Sequence, residues 1–262
     1  MFELHPATRV SQPTIETYRI FRTPLVNYSQ SEDLSRSMAS QYGSLDTTYG
    51  PIYQVFDRGL KHHKGLPVSQ TSLPIAFHTD SSQKDTWPNL VGLMCIQDAF
   101  GGDTLLADAS IAYKHLQRHH PWTLKILTQP FPRAIVTPGR LKTMTEIEAN
   151  AFPIFSRDAK GEIELRYMRR WIEDAAQLLG RPLDELTLTA LDHLDSALLR
   201  ATVHQHHLRP GEMLIFNNRR FAHARHPYRD VHGKRRMLLR TWINTDQSHE
   251  SLSARPVVGI AS

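Results

Sequence analysis

The chain has 262 residues, 40% of them hydrophobic, enough for one sizeable core and a single domain over 1–262; no stretch nears 18 apolar residues and Met1 to Val10 has no apolar run, so neither a membrane helix nor a signal peptide is expected. Cys95 is the only cysteine, which excludes a disulfide within the chain and fits a cytoplasmic location. The net charge of +5 points first to nucleic acid, but residues 1–130 balance 11 Lys/Arg with 11 Asp/Glu, and Arg219 to Arg240 alone carries eight basic residues against Asp230, a concentration that favours an anion pocket over a duplex-binding stripe.

In chain order, Ser31-Glu32-Asp33 opens a predicted helix to about Gln41, with Ser as N-cap and Gly43 as stop. Leu73 to His78 and Leu90 to Ile96 read as strands, and Cys95 falls in the apolar part of the second as core. Gly101-Gly102 turns into a short strand, Thr104 to Ala107. Ile111 to His119 is helical, and Pro121 ends or interrupts it. Phe131 to Val136 reads as a strand. Met168 to Leu179 and Leu183 to Arg200 read as helices around Gly180-Arg181-Pro182, with Leu183, Leu186, Leu191, Leu194 and Leu198 as packing positions. Four strands follow: Thr202 to Leu208, Met213 to Phe216, Phe221 to Arg225, and Met237 to Ile243. Strands at both ends with helices between them predict a mainly β, jelly-roll-like fold with flanking helices and a helical insertion at about 140–200.

His78-Thr79-Asp80 carries the chemistry. In an extended segment the two ligating side chains share a face with Cα atoms about 6.6 Å apart. One further histidine would complete a 2-His-1-carboxylate set of the kind that suits non-haem Fe(II). His223 is the candidate, because in a strand Phe221, His223 and Arg225 share a face. On the segment 236–242, Arg236, Leu238, Arg240 and Trp242 share another. Two arginines in so apolar a run need anions, supplied either by a bound dicarboxylate or by structural salt bridges. Thr104, after the glycine turn, offers a hydroxyl to a carboxylate; Asp103 and Asp108 read as turn or cap residues. Arg219, Arg229, Lys234 and Arg235 read as a solvated basic loop.

The order His-Thr-Asp, Gly-Gly-Asp-Thr, Pro-Gly-Glu…Asn-Asn-Arg-Arg…His-Ala-Arg, then Arg-Arg-Met-Leu-Leu-Arg resembles the Fe(II)/2-oxoglutarate-dependent dioxygenases of the TauD/TfdA type, in particular the clavaminate-synthase-like branch. The resemblance spans about residues 73 to 245. It implies a double-stranded β-helix; Fe(II) on His78, Asp80 and His223; and 2-oxoglutarate and O2 as co-substrates. It further implies that Thr104 and Arg236 hold the far carboxylate of 2-oxoglutarate, with Arg235 the competing choice, and that Arg240 lies near the C1-carboxylate or the substrate. Halogenating relatives replace the carboxylate ligand by a small residue, so Asp80 favours hydroxylation while leaving desaturation or cyclisation open. Arg225, Gln70, Asn89 and Arg166 are the candidate substrate contacts, with Ser72 and Trp87 beside them, for a small carboxylated or amino-acid-like metabolite.

Rival readings are a zinc hydrolase on the same three ligands, which leaves Arg236 and Arg240 without a task, and a barrel-fold binding protein with an inactive site. His204 and His206 share a strand face as a second metal-binding candidate. His62-His63, His119-His120 and His207 are expected to be exposed. No nucleic-acid or membrane partner is expected, and a homo-oligomer stays open.

Overall fold

The computed structural model describes residues 17–24, 27–59, 68–83, 86–134, 143–231 and 233–245. The Met1 to Val10 segment, His62-His63 and the Ile135-Val136 end of one predicted strand lie outside them. The strands are β1 (Tyr18–Arg22), β2 (Ser44–Leu45), β3 (Tyr53–Val55), β4 (Ile75–His78), β5 (Leu90–Gln97), β6 (Phe100–Gly101), β7 (Thr104–Asp108), β8 (Pro130–Pro132), β9 (Ala151–Pro153), β10 (Phe155–Arg157), β11 (Ile163–Leu165), β12 (Thr202–His206), β13 (Glu212–Asn217), β14 (Phe221–Arg225), β15 (Tyr228–Arg229) and β16 (Met237–Asn244). The helices are α1 (Tyr28–Ser40), α2 (Ala109–His119), α3 (Pro121–Leu127), α4 (Met144–Ala149), α5 (Arg169–Leu178) and α6 (Glu185–Arg200).

Two antiparallel sheets organise this mixed α/β fold in a double-stranded-β-helix-like arrangement. The larger runs β1-β13-β5-β16-β2 with β3 also on β16; the smaller runs β12-β7-β14-β4. Period-2 alternation sorts the strands into layers. Val91, Leu93 and Cys95 of β5 and Leu214 and Phe216 of β13 meet Leu106 and Phe221 of the smaller sheet. The intervening Leu90, Met94, Met213 and Ile215 pack against Ala39 of α1 and Tyr42 just beyond it. Ala107 and Ala222, on the far face of the smaller sheet, pack under α2, α3, α5 and α6. Cys95 is 1% exposed in this core, and burial pushes its thiol up to about 12.

Several local expectations shift for identifiable reasons. The first helix is capped by Asn27 in a capping box with Gln30, so Ser31 sits inside it and is buried. Pro121 starts α3 as its first residue, where a missing N–H costs nothing. In α6 the buried stripe is Ala190, Leu191, Leu194, Ala197 and Leu198, while Leu186 in the first turn is 63% exposed. The helix expected from Ile111 begins two residues earlier, at Ala109, with Asp108 as its N-cap. Most consequential, β4 ends at His78, so Asp80 lies in a turn and not on a strand face. Ser81, next in that turn, has φ +54.

Candidate metal centre and its cavity

β4 and β14 are hydrogen-bonded neighbours, and their register sets His78 directly opposite His223. The turn after β4 swings Asp80 back toward both rings. His78 Nε2 lies 3.8 Å and His223 Nε2 3.9 Å from Asp80 Oδ1, and the three ligand atoms lie within 4.8 Å of one another. His78 Nδ1 is 2.9 Å from the Ala76 carbonyl, which places the proton on that nitrogen and leaves Nε2 free to ligate. Burial holds both imidazoles neutral. It depresses His78, against the pull of Asp80, and with the neighbouring His78 it takes His223 down to about 3. Burial alone would raise Asp80, but Arg240, the two histidines and Trp242 outweigh it and keep the carboxyl below its usual range. Two neutral imidazoles and one carboxylate on one wall fit a divalent metal ion.

The carboxylate is held from both sides. Trp242 Nε1 donates to Asp80 Oδ2 at 2.7 Å and Arg240 Nη1 to Oδ1 at 3.3 Å. Asn218, fully buried, brackets the Asp80 main chain. Its Oδ1 accepts from the Asp80 N–H at 2.8 Å, and its Nδ2 donates to the carbonyls of Asp80 and Pro88, both at 3.1 Å.

The three ligands open on a cavity of about 240 Å³, small-metabolite in scale. Arg236, Leu238, Arg240 and Trp242 all line it, as the alternation along β16 predicts. Arg236 is 3% exposed, and burial holds it below the usual guanidinium range. It lies over the Tyr228 ring at 4.9 Å and donates from Nη2 to the Gly102 carbonyl at 3.2 Å. Its buried Nη1 has no partner, and among the described residues it makes no ion pair with a carboxylate. Arg240 differs, because its salt bridge to Asp80 is structural. Gly102 explains the glycine turn: at φ +81, a Cβ there would stand 3.0 Å from Arg236 Nε. Arg235 is exposed. Thr104 lines the cavity and is 4% exposed.

Of the candidate substrate contacts, Gln70 and Arg225 line the cavity. Gln70 donates to Tyr53 Oη at 2.7 Å. Arg225 spends Nη2 on the Thr71 and Leu73 carbonyls, at 2.6 and 2.5 Å, while its buried Nη1 and Nε have no partner. Asn89 and Arg166 do not line it. Asn89 accepts from the Thr245 N–H and so ties strand ends together. Arg166 is clamped between Phe152 and Trp87 and donates to the Ser82 carbonyl at 2.7 Å. Trp87 is buried against Arg166 and Arg219. Ser72 accepts from the Tyr228 N–H through its carbonyl.

Other assignments sort similarly. Arg229, Lys234 and Arg235 are exposed, but Arg219 pairs with Glu164 at 3.0 Å and is not a solvated loop residue. Asp108 caps α2, whereas Asp103 accepts from Gln205 and pairs with His207 instead of shaping the turn. His206 pairs with Glu212 and His204 stacks on Tyr18, so they form no metal set, and among the described residues only His78, Asp80 and His223 do. His119 is exposed, but His120 stacks on His193 and His207 is partly buried. The roles of Asn218, Trp242 and the cavity wall from α5 were not foreseen. The signal for the last lay in consecutive arginines at a helix start.

The taurine catabolism dioxygenase family, TauD/TfdA, matches residues 16–242. A uridine-5'-phosphate dioxygenase of Amycolatopsis sp is 32% identical over 209 residues, 76% of this chain and 70% of that protein. A trimethyllysine dioxygenase of Meyerozyma guilliermondii is 28% identical over 68% of this chain and 44% of its own length. In fold, an asparagine oxygenase in complex with Fe(II), 2S,3S-3-hydroxyasparagine and succinate superposes with a TM-score of 0.68 at 21% identity, covering 93% of this chain and 79% of that one. The non-heme iron oxygenase OrfP with Fe, succinate and (3S)-hydroxy-L-Arg gives 0.66 at 13% identity, over 93% and 80%.

Proposed function

The chain belongs to the TauD/TfdA family of dioxygenases, and from that premise we propose that its cavity oxidises a small carboxylated or amino-acid-like metabolite. The protein is a non-haem Fe(II)/2-oxoglutarate-dependent dioxygenase whose metal set is His78, Asp80 and His223. For a hydroxylation the balance is substrate C–H plus 2-oxoglutarate plus O2 giving substrate C–OH, succinate and CO2. Bound Fe(II) supplies the redox chemistry that joins O2 reduction to decarboxylation of the co-substrate and C–H oxidation.

The chain's own residues do the rest. The His78 and His223 Nε2 atoms and Asp80 Oδ1 present lone pairs to one point, and Trp242 restrains the second carboxylate oxygen. Arg236 anchors the distal carboxylate of 2-oxoglutarate through its unpartnered Nη1, with the Thr104 hydroxyl beside it. Arg240 holds Asp80 and faces the same space. The inter-sheet core closes the floor against water. The observation that carries this reading is a buried arginine with an unused donor in the cavity of a metal-ready set of two neutral imidazoles and one carboxylate. The two sheets are read as the halves of a double-stranded β-helix, and the motif order supports the clavaminate-synthase-like branch.

The amino-acid-like substrate is supported by the asparagine and arginine products named in two structures of like fold. A nucleotide is the second reading, favoured by the uridine-5'-phosphate dioxygenase relative and by Arg58 on the cavity lining. The test is anaerobic addition of Fe(II) and 2-oxoglutarate, followed by succinate release across a substrate panel with product mass. A visible charge-transfer band and a gain of one oxygen or loss of two hydrogens are expected. Absence of the band, or normal turnover by Asp80→Ala, overturns the assignment.

A further inference from the structure

One wall of the cavity belongs to α5, whose Met168, Arg170, Trp171 and Asp174 line it. This helix breaks the rules of its own terminus. It starts Arg169-Arg170 with no acid in the first turn, and the N-cap Met168 makes no side-chain cap, although a helix N-terminus favours anions and disfavours cations. Arg169 is accounted for by Glu173, Asp192 and Asp195, at 2.7, 2.6 and 2.8 Å. Arg170 is not. Among the described residues its one acidic partner is Asp174, with Nε 3.5 Å from Oδ2, in the less favourable order for an i,i+4 pair. Both side chains stay partly exposed.

This wall is stitched to the metal-ligand turn. Thr79 N–H donates to the Tyr167 carbonyl at 2.8 Å, the Tyr167 N–H returns to Thr79 Oγ1 at 2.9 Å, and Arg166 Nε holds the Ser82 carbonyl. The start of α5 is thereby fixed beside Asp80 to Gln83. In that turn Ser81 and Gln83, 2% and 7% exposed, also line the cavity, and Ser81 Oγ and Gln83 Oε1 have no hydrogen-bond partner. Buried polar atoms without partners are costly, and a ligand's own polar groups would satisfy them.

We infer that the first turns of α5 and the Asp80–Gln83 turn form the substrate head-group subsite, and that it takes a zwitterion bearing one carboxylate and one ammonium. Arg170 pairs with the carboxylate, assisted by the Ser81 hydroxyl. Asp174 and Gln83 Oε1 accept from the ammonium. The ligand replaces the loose Arg170–Asp174 pair with two complementary ones. A phosphate monoester would match Arg170 but would meet Asp174 with like charge. This inference rests on the oxygenase reading above and adds the substrate's charge pattern and the residues that read it.

The experiment uses the iron-loaded full chain and measures substrate-stimulated succinate release with free α-amino acids, their N-acetyl and carboxamide derivatives, and uridine 5'-phosphate. Wild type should respond to a free amino acid and lose about ten-fold or more in kcat/KM when either head-group charge is blocked. Asp174→Asn should shrink the free-over-N-acetyl ratio alone, and Arg170→Gln the free-over-carboxamide ratio alone. A merely structural role would lower all substrates together and leave both ratios in place. The inference is overturned if both ratios survive both substitutions, or if uridine 5'-phosphate alone stimulates turnover, and in either case the oxygenase reading stands. If wild type binds neither Fe(II) nor 2-oxoglutarate, the oxygenase reading fails first and the inference falls with it.

Discussion

Arg236→Ala tests the co-substrate anchor. The side chain is buried, its charge is met by no carboxylate among the described residues, and Nη1 points at nothing that accepts. Nη2 is already committed to the Gly102 carbonyl, so the structure allots at least one charge-assisted hydrogen bond from Nη1 to the ligand. Such a bond contributes about 1.5–3 kcal/mol, equivalent to a rise of roughly 10- to 150-fold in the 2-oxoglutarate requirement. Arg236→Lys should recover part of this, because it keeps the charge and loses the planar fork. Arg235→Ala is the control, since that side chain is exposed one residue away. Succinate formation against 2-oxoglutarate concentration reads the effect in all four proteins. A shift below two-fold in Arg236→Ala, or a larger shift in Arg235→Ala, would refute the assignment.

Gly102→Ala should raise the 2-oxoglutarate KM as well and cost about 1 kcal/mol or more of stability, because the new Cβ meets Arg236 Nε and strains a φ of +81; an unchanged KM would mean that Arg236 is free to move aside. Asn218→Ala leaves the buried Asp80 N–H and carbonyl without their partner and should cost about 2–4 kcal/mol in denaturant unfolding, together with weaker metal binding by titration; a loss of stability with metal affinity intact would sever the two. The metal-free protein should lose stability as pH falls below 6.5. His223 takes up a proton at about 6.5 when unfolded but only near 3 when folded, so the unfolded state binds more protons throughout that window. The denaturation midpoint at pH 5 should therefore lie below that at pH 7, with a smaller drop in His223→Gln, and equal drops in the two proteins would count against a buried neutral imidazole.

Much of the site is local in origin and was legible in the residues. Strand alternation depends only on the pleat, so it correctly grouped Arg236, Leu238, Arg240 and Trp242 on one wall and Phe221, His223 and Arg225 on one face. The same logic failed at Asp80, because a strand's end is set by what its neighbours can pair. β4 stops at His78, opposite His223, and the turn that follows brings the carboxylate back to both rings. Nor could spacing separate Arg225 and Gln70, which line the cavity, from Asn89 and Arg166, which tie backbone segments together.

His78-Thr79-Asp80 by itself determined two of the ligand types, an imidazole and a carboxylate, which are donors wherever they sit, and the order of the motifs along the chain favoured iron over zinc. Only the tertiary structure decided that His223 completes the set, that Trp242 and Asn218 hold Asp80 in place, and that Arg170 and Asp174 face the same cavity. Those relations join residues separated by up to 162 positions in the chain. They arise from sheet register and helix packing, which bury the groups together and leave specific donors and acceptors for a ligand to satisfy.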